Sequence, residues 1–252
     1  MKYLAIRGCR IGEGRPKVIL PIVEQTEEAI LEKAAQFSTW KADCVEWRVD
    51  LFADAQDLSA VARCAAKLRV ALKNKLLLIT FRTKTEGGHA ALSHEEYRRY
   101  FHTVLDTDCA DLIDLEFFTA GADLPGMIAD AHTAGAAVVC SSHDFQKTPP
   151  RAELVDRMVR MQQAGADLPK LAVMPTCRTD VLELLAATAE MADHHPETPV
   201  ITMSMGALGA VSRLCGEAFG SAMTFANPGQ ASAPGQVALD VVNEVLESLR
   251  LA

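Results

Sequence analysis

The sequence predicts an α/β protein built as a (β/α)8 TIM barrel, with an N-terminal β-hairpin closing one end. Three observations carry this. Strand-length apolar runs alternate with helix-length segments along the whole chain, eight such runs can be placed, and 252 residues suit a barrel of that count. No linker or low-complexity stretch intervenes, so residues 1–252 are expected to form one domain, with 1–16 as the hairpin or arm. An open doubly wound sheet is the rival, but PIVEQTEE stands after the first buried strand where a GxGxxG phosphate turn would be needed.

The elements follow in order. Residues 3–7 and the segment after Cys9 read as the hairpin, with Gly12 and Gly14 marking its turn. KVILPIV at 17–23 is a buried-strand pattern. Residues 26–40 then have apolar positions at helical spacing, Thr26 as N-cap and Glu27 and Glu28 in the first turn. Further strands are expected at 44–52, 76–83, 112–117, 137–143, 170–175, 200–205 and 222–227. Helices are expected between and after them at 58–73, 93–105, 124–134, 151–164, 180–192, 207–217 and 234–249.

Composition narrows the function classes. A net charge of −8 argues against a nucleic-acid surface, which needs a concentrated basic face, so an anionic ligand must be drawn in by local arginines. The seven cysteines are scattered and never form CxxC, as expected of reduced core residues in a cytoplasmic protein. Arg7 and Arg10 interrupt the N-terminal apolar run, so no secretory signal is expected, and no run approaches membrane-spanning length. No HxH or HExxH spacing occurs, and no catalytic metal is expected.

In a barrel, inward charges near the carboxyl ends of strands line the active site. DLPKLAVMP at 167–175 puts Lys170 on one strand face with Ala172 and Met174. If that face looks into a closed interior, desolvation favours the neutral, nucleophilic amine; the alternative is a strand-mouth lysine with its ammonium in water. Residues 44–52 place Glu46, Arg48 and Asp50 on one face of an otherwise apolar strand, inward in a barrel or solvated on an edge strand. Arg82 ends the next strand, and Glu86 precedes a Gly87-Gly88 turn, where a loop acid could orient a base. Asp114 and Glu116 are a further inward pair. His143, at the end of AVVCSSH, is the best base candidate by its titration range. MSMGALGAVSR at 203–213 places Met203 and Met205 on one face and opens a helix that leads to Arg213, apt for a carboxylate or phosphate. FANPGQASAPGQ at 225–236 has the composition of a mobile lid, with Ser232 and Gln236 able to hydrogen-bond.

Taken together, EWRVD at 46–50, FRTKTEGG at 81–88, DLEF at 114–117 before VVCSSHD at 138–144, PKLAVMP at 169–175, MGALGAVSR at 205–213 and SAPGQ at 232–236 resemble type I 3-dehydroquinate dehydratases over nearly the whole chain. The resemblance implies a (β/α)8 barrel, usually a homodimer, that dehydrates 3-dehydroquinate to 3-dehydroshikimate in the shikimate pathway without metal or organic cofactor. It makes Lys170 the Schiff-base lysine, His143 the proton shuttle and Glu86 the group that orients His143. Arg213 would hold the substrate carboxylate, and Glu46, Arg48 and Arg82 would contact its hydroxyls. Met203, Met205 and Phe225 would wall the pocket, with Ser232 and Gln236 closing over it. Ser142 departs from the family pattern, which usually has Asn, His or Tyr just before the catalytic histidine. Two other classes stay open at this level: a class I Schiff-base aldolase, which phosphorylated substrates would reveal, and a non-catalytic barrel that binds a hydroxy acid.

Overall fold

A computed structural model describes residues 2–229 and 232–251. The chain opens with β1 (Leu4–Ile6) and β2 (Cys9–Ile11), then β3 (Lys17–Ile22), α1 (Glu27–Phe37), β4 (Cys44–Arg48), α2 (Leu58–Ala71) and β5 (Leu76–Thr80). It continues through α3 (His94–Leu105), β6 (Leu112–Glu116), α4 (Phe117–Ala120), α5 (Leu124–Thr133), β7 (Ala137–Asp144) and α6 (Arg151–Gln163). The last part comprises β8 (Leu168–Val173), α7 (Arg178–His194), β9 (Ile201–Ser204), α8 (Gly206–Gly209), α9 (Gly216–Phe219), β10 (Met223–Asn227), β11 (Val237–Ala238) and α10 (Leu239–Ser248).

β3 to β10 pair in parallel, with β11 added beside β10, so the sheet order is β11-β10-β3-β4-β5-β6-β7-β8-β9. The sheet curls until its ends approach. Val200 and Ser221 form a parallel bridge, and the Ala222 N–H donates to the Val200 carbonyl at 2.8 Å. This is the geometry of a TIM-like barrel. Strand alternation divides the core in two. Val45, Trp47, Leu171 and Val173 pack outward in the layer beneath the helices. Ile19, Cys44, Leu76, Leu112, Leu168 and Ile201 fill the interior.

The interior is apolar at the amino ends of the strands and charged at their carboxyl ends. Leu112 is followed on the same face by Asp114 and Glu116, Cys44 by Glu46 and Arg48, and Leu168 by Lys170. The hairpin covers the apolar end: Ile11 is fully buried, and Leu4, Ile6 and Cys9 pack on the interior cluster. Three aspartates just before strands repeat one contact at this end. Asp43, Asp111 and Asp167 accept the backbone N–H of Val18, Leu77 and Val138 at 2.8, 2.9 and 2.8 Å, and each returns its own N–H to the same residue's carbonyl. Arg15, Arg69 and His132 pair with them.

The structure corrects four expected boundaries. The hairpin turns at Arg7-Gly8, both with positive φ (47° and 78°), as a two-residue hairpin requires, and not at Gly12 and Gly14. The strand expected over 44–52 stops at Arg48, and a 3-10 turn at Val49–Leu51 carries Asp50. The helix expected over 207–217 is broken into α8, a 3-10 turn at Ala210–Arg213 and α9. The helix expected from 234 begins at Leu239, because Pro234 accepts the Gly206 N–H and Gly235 adopts φ 77° against the Gly206 backbone. Residues 230 and 231 of the expected lid lie outside the described residues. No helix among the described residues is long and apolar enough to cross a membrane.

Candidate active site

The charged end of the interior opens into a cavity of about 780 Å³, its open mouth included. All twelve residues that the resemblance assigned to the site border it, whereas Asp50, Asp114 and Glu116 lie behind its wall. Glu46 and Arg48 enter from β4, and Arg82 and Glu86 from the segment after β5. His143 and Lys170 come from the neighbouring strands β7 and β8, Met203 and Met205 from the end of β9, and Arg213 from the turn after α8. Phe225 is on β10, and Ser232 and Gln236 approach from the lid. Period-2 alternation explains the convergence: Glu46, Asp114, Ser141, His143, Lys170 and Met203 occupy inward positions of five strands.

Lys170 is buried, 3% exposed, which excludes the reading that leaves its ammonium in water. Its Nζ lies 3.3 Å from Asp114 Oδ2 and 4.9 Å from the centre of the Phe225 ring. Ser141 pairs with Lys170 across the sheet and His143 with Ala172, so His143 stands one step nearer the open end than the lysine.

Glu86 ends a 3-10 turn (Lys84–Glu86) that is stopped by Gly87 at φ 88°. One carboxylate oxygen, Oε2, accepts the His143 backbone N–H at 3.2 Å and lies 2.8 Å from ring Nδ1. The imidazole is thereby held in one orientation, with Nε2 left for proton transfer. Burial, with help from Glu116 and Asp114, pushes Glu86 up to about 8 against the pull of Arg82. His143 is pushed well below the usual imidazole value by burial and by the Arg82, Lys170 and Arg48 cations.

Arg82 lies beneath this pair. Its guanidinium reaches Asp114 at 2.8 Å and Glu116 and Ser141 at 2.9 Å each, so both terminal nitrogens are engaged within the protein. Arg48 is gripped bidentately by Asp50 at 2.7 and 2.8 Å, and Asp50 also accepts the Arg82 backbone N–H at 3.2 Å. The corrected position of Asp50 thus makes it the partner of Arg48 rather than a third inward strand residue. Glu46 accepts the Thr80 hydroxyl at 2.9 Å.

Arg213 differs from these arginines. It is 1% exposed, yet among the described residues no carboxylate pairs with it. Its donors meet Met203 Sδ at 3.5 Å and the Pro234 carbonyl at 3.1 Å, and buried Nε has no partner. Burial alone pulls the guanidinium down to about 10, which still leaves it charged at neutral pH. The lid side chains are bonded to each other: the Ser232 N–H donates to Gln236 Oε1 at 2.8 Å and Gln236 Nε2 to Ser232 Oγ at 2.9 Å.

Ser142, the departure from the family pattern, points away from the cavity. It is buried and accepts a hydrogen bond from Arg157 at 3.1 Å, while Arg157 stacks on Phe118. Sequence reasoning left two neighbours without a role. Phe145 borders the cavity, stacks near the His143 ring and packs so closely on Gly87 that a Cβ there would lie 2.3 Å from it. Asp114 was visible as inward but not as a neighbour of Lys170. Among the described residues no group of three or more His, Cys, Asp or Glu side chains is arranged to hold a metal ion.

The arrangement provides a buried amine, an oriented imidazole beside it and an unpaired cation in one cavity. Comparison with known proteins points the same way. A family model described as type I 3-dehydroquinase matches residues 18–251. The 3-dehydroquinate dehydratases of Enterococcus faecalis strain V583 and Bacillus subtilis strain 168 are each 44% identical to this chain, over 98% and 99% of it and 98% of their own lengths. Among solved structures, type I 3-dehydroquinate dehydratase from Clostridium difficile, with covalently modified comenic acid, superposes with a TM-score of 0.95 at 41% identity, covering 99% of this chain and 98% of that one. The Enterococcus faecalis structure gives 0.93 at 40%, covering 98% and 100%.

Proposed function

The chain belongs to the type I 3-dehydroquinase family of hydro-lyases, and from that premise we propose that it dehydrates 3-dehydroquinate to 3-dehydroshikimate through a Schiff base on Lys170. The observation that carries the reading is the unpaired, buried Arg213 bordering the same cavity as Lys170 and His143: a desolvated cation without a counter-ion is a receptor for a substrate carboxylate. The aldolase and non-catalytic readings lose their ground to the family membership.

Water must leave from the carbon β to a ketone, so the intervening carbon has to lose a proton first. Lys170 attacks the ketone as a neutral amine, and loss of the carbonyl oxygen as water leaves an iminium. That cation draws electrons from the adjacent carbon and stabilises the enamine formed when His143 removes the proton. His143 then returns a proton to the departing hydroxyl, the two roles of a base and acid on one imidazole. Hydrolysis of the conjugated imine releases product and restores the amine. Glu86 keeps the imidazole aimed, Glu46 and Arg48 face the substrate hydroxyls, and Arg82 mainly orders the acids beneath. Met203, Met205 and Phe225 exclude water, with Ser232 and Gln236 above. The same reading takes residues 1–252 as one (β/α)8 domain, closed between Val200 and Ser221 and acting as a cytoplasmic homodimer on a small molecule without a cofactor. The free thiols of all seven cysteines suit a reducing compartment.

Arg213→Ala tests the carboxylate site. The variant should lose about 10²- to 10³-fold in kcat/KM for 3-dehydroquinate, followed by the ultraviolet absorbance of the enone product, because the substrate anion then enters a buried site with no opposing charge. An unchanged kcat/KM would put the carboxylate elsewhere.

Glu86→Gln tests the orienting contact. An amide can still face Nδ1 but cannot ionise, so the titration of Glu86, pushed up to about 8 in the parent, disappears from the site. The step that Glu86 gives the kcat profile near pH 8 should be lost, with kcat itself down by about tenfold or less because the imidazole is less firmly held. A profile that keeps its form near pH 8 means that Glu86 and His143 are not linked in this way.

A further inference from the structure

Two neighbours of the Lys170 nitrogen have no electrostatic task in the scheme above. Asp114 Oδ2 is 3.3 Å from Nζ, and the Phe225 ring lies across it with its centre at 4.9 Å. The Asp114 side chain is wholly unexposed and is held from two further directions, by Arg82 at 2.8 Å and by the Ser141 hydroxyl at 2.6 Å. Burial favours its neutral form, but Arg82 and Lys170 outweigh that and hold it below the usual carboxylate range, so it is ionised. A fixed carboxylate and an aromatic face both favour a positive nitrogen over a neutral one.

For a nucleophilic lysine that preference is a hindrance at the first step, since the amine must shed a proton before it attacks. It becomes an asset afterwards. When the N–C bond has formed, the carbinolamine oxygen departs as water, carrying one hydrogen that came from the amine and one supplied by an acid. The nitrogen keeps its second hydrogen and a full positive charge. Only in that protonated form does the imine draw electrons from the neighbouring carbon; a neutral imine is a poor sink.

We propose that Asp114 is the counter-ion of the Lys170 iminium and, with the Phe225 ring, keeps the imine nitrogen protonated through the elimination. This rests on the Schiff-base reading of Lys170. Other charged groups share the cavity, namely Glu46, Arg48, Arg82, Glu86, His143 and Arg213, but among the described residues Asp114 is the one carboxylate within ion-pairing distance of Nζ. Arg82 and Ser141 keep it from turning away. The choice of strand follows: β6 lies opposite Lys170 beyond β7, so an inward acid there can reach across Ser141 to the amine.

Sodium cyanoborohydride reduces an iminium but spares a neutral imine, so the yield of reduced adduct with 3-dehydroquinate, measured across pH by mass spectrometry, reports the protonated fraction. Asp114→Asn should match the parent at the acid end and lose adduct about one to three pH units earlier on the alkaline side, with the alkaline limb of kcat moving alongside. Phe225→Leu should shift the same way by less, and decides the matter if Asp114→Asn does not fold. Ser142→Ala, whose hydroxyl meets Arg157 outside the cavity, should not shift the profile. Superimposable profiles in Asp114→Asn and Phe225→Leu overturn the proposal. So does a yield lowered equally at every pH, the mark of a merely disturbed cavity. No adduct in the parent protein at any pH overturns the Schiff-base reading itself, and the counter-ion with it.

Discussion

Lys170→Ala should reduce kcat/KM for 3-dehydroquinate by at least about 10⁴-fold, equivalent to about 5 kcal/mol of transition-state stabilisation. The expectation follows from the chemistry of the carbon acid: without an iminium, the proton beside an ordinary ketone is too weakly acidic for one imidazole to remove at a useful rate. Burial makes the test clean. The lysine nitrogen contacts Asp114 and the Phe225 face, while Arg82 remains to neutralise Asp114 when the amine is gone. Lys170→Met, which retains the length of the side chain, should be as inactive as alanine. Turnover near that of the parent in either variant would eliminate the covalent route.

His143→Ala should produce a different failure. Proton transfer by a positioned imidazole contributes about 10²–10⁴-fold, and here the same ring serves two transfers, so kcat should fall by at least that range. Attack by Lys170 needs no imidazole, so the variant should still form an imine with 3-dehydroquinate and accumulate it before elimination. Reduction with borohydride should therefore trap unconverted substrate on the enzyme, distinguished from trapped product by the mass of one water. A variant that forms no adduct would mean that His143 governs imine formation as well, and the division of labour would be lost.

Much of this site could be read in the chain because a barrel turns period-2 alternation into geometry. Once Glu46, His143 and Lys170 were assigned to inward positions of their strands, β4, β7 and β8, their meeting at the carboxyl ends followed. The unread parts have local causes. Asp50 continues the alternation of Glu46 and Arg48 on paper, but the strand ends at Arg48 and the 3-10 turn brings Asp50 back to clasp that arginine. Gly12 and Gly14 signal a turn more strongly than Arg7 does, yet the two-residue turn falls at Arg7-Gly8, both with positive φ. Residues 207–217 have helical composition, but Gly209 packs so tightly that a Cβ would lie 2.4 Å from the Ser204 backbone, and the segment folds back on β9 instead of running on. Asp114 was legible as an inward acid; its contact with a lysine 56 residues later depends on strand register, which no local pattern encodes. The three aspartates before β4, β6 and β8 repeat an Ala-Asp pair in the sequence, a signal for strand starts that composition alone does not single out.

The most direct test of the central claim is to incubate the protein with 3-dehydroquinate, reduce with sodium borohydride, and map the peptides by mass spectrometry. The account predicts one adduct per chain on Lys170, visible as a missed tryptic cleavage after that residue. Turnover without an adduct, or an adduct on any other lysine, would contradict it.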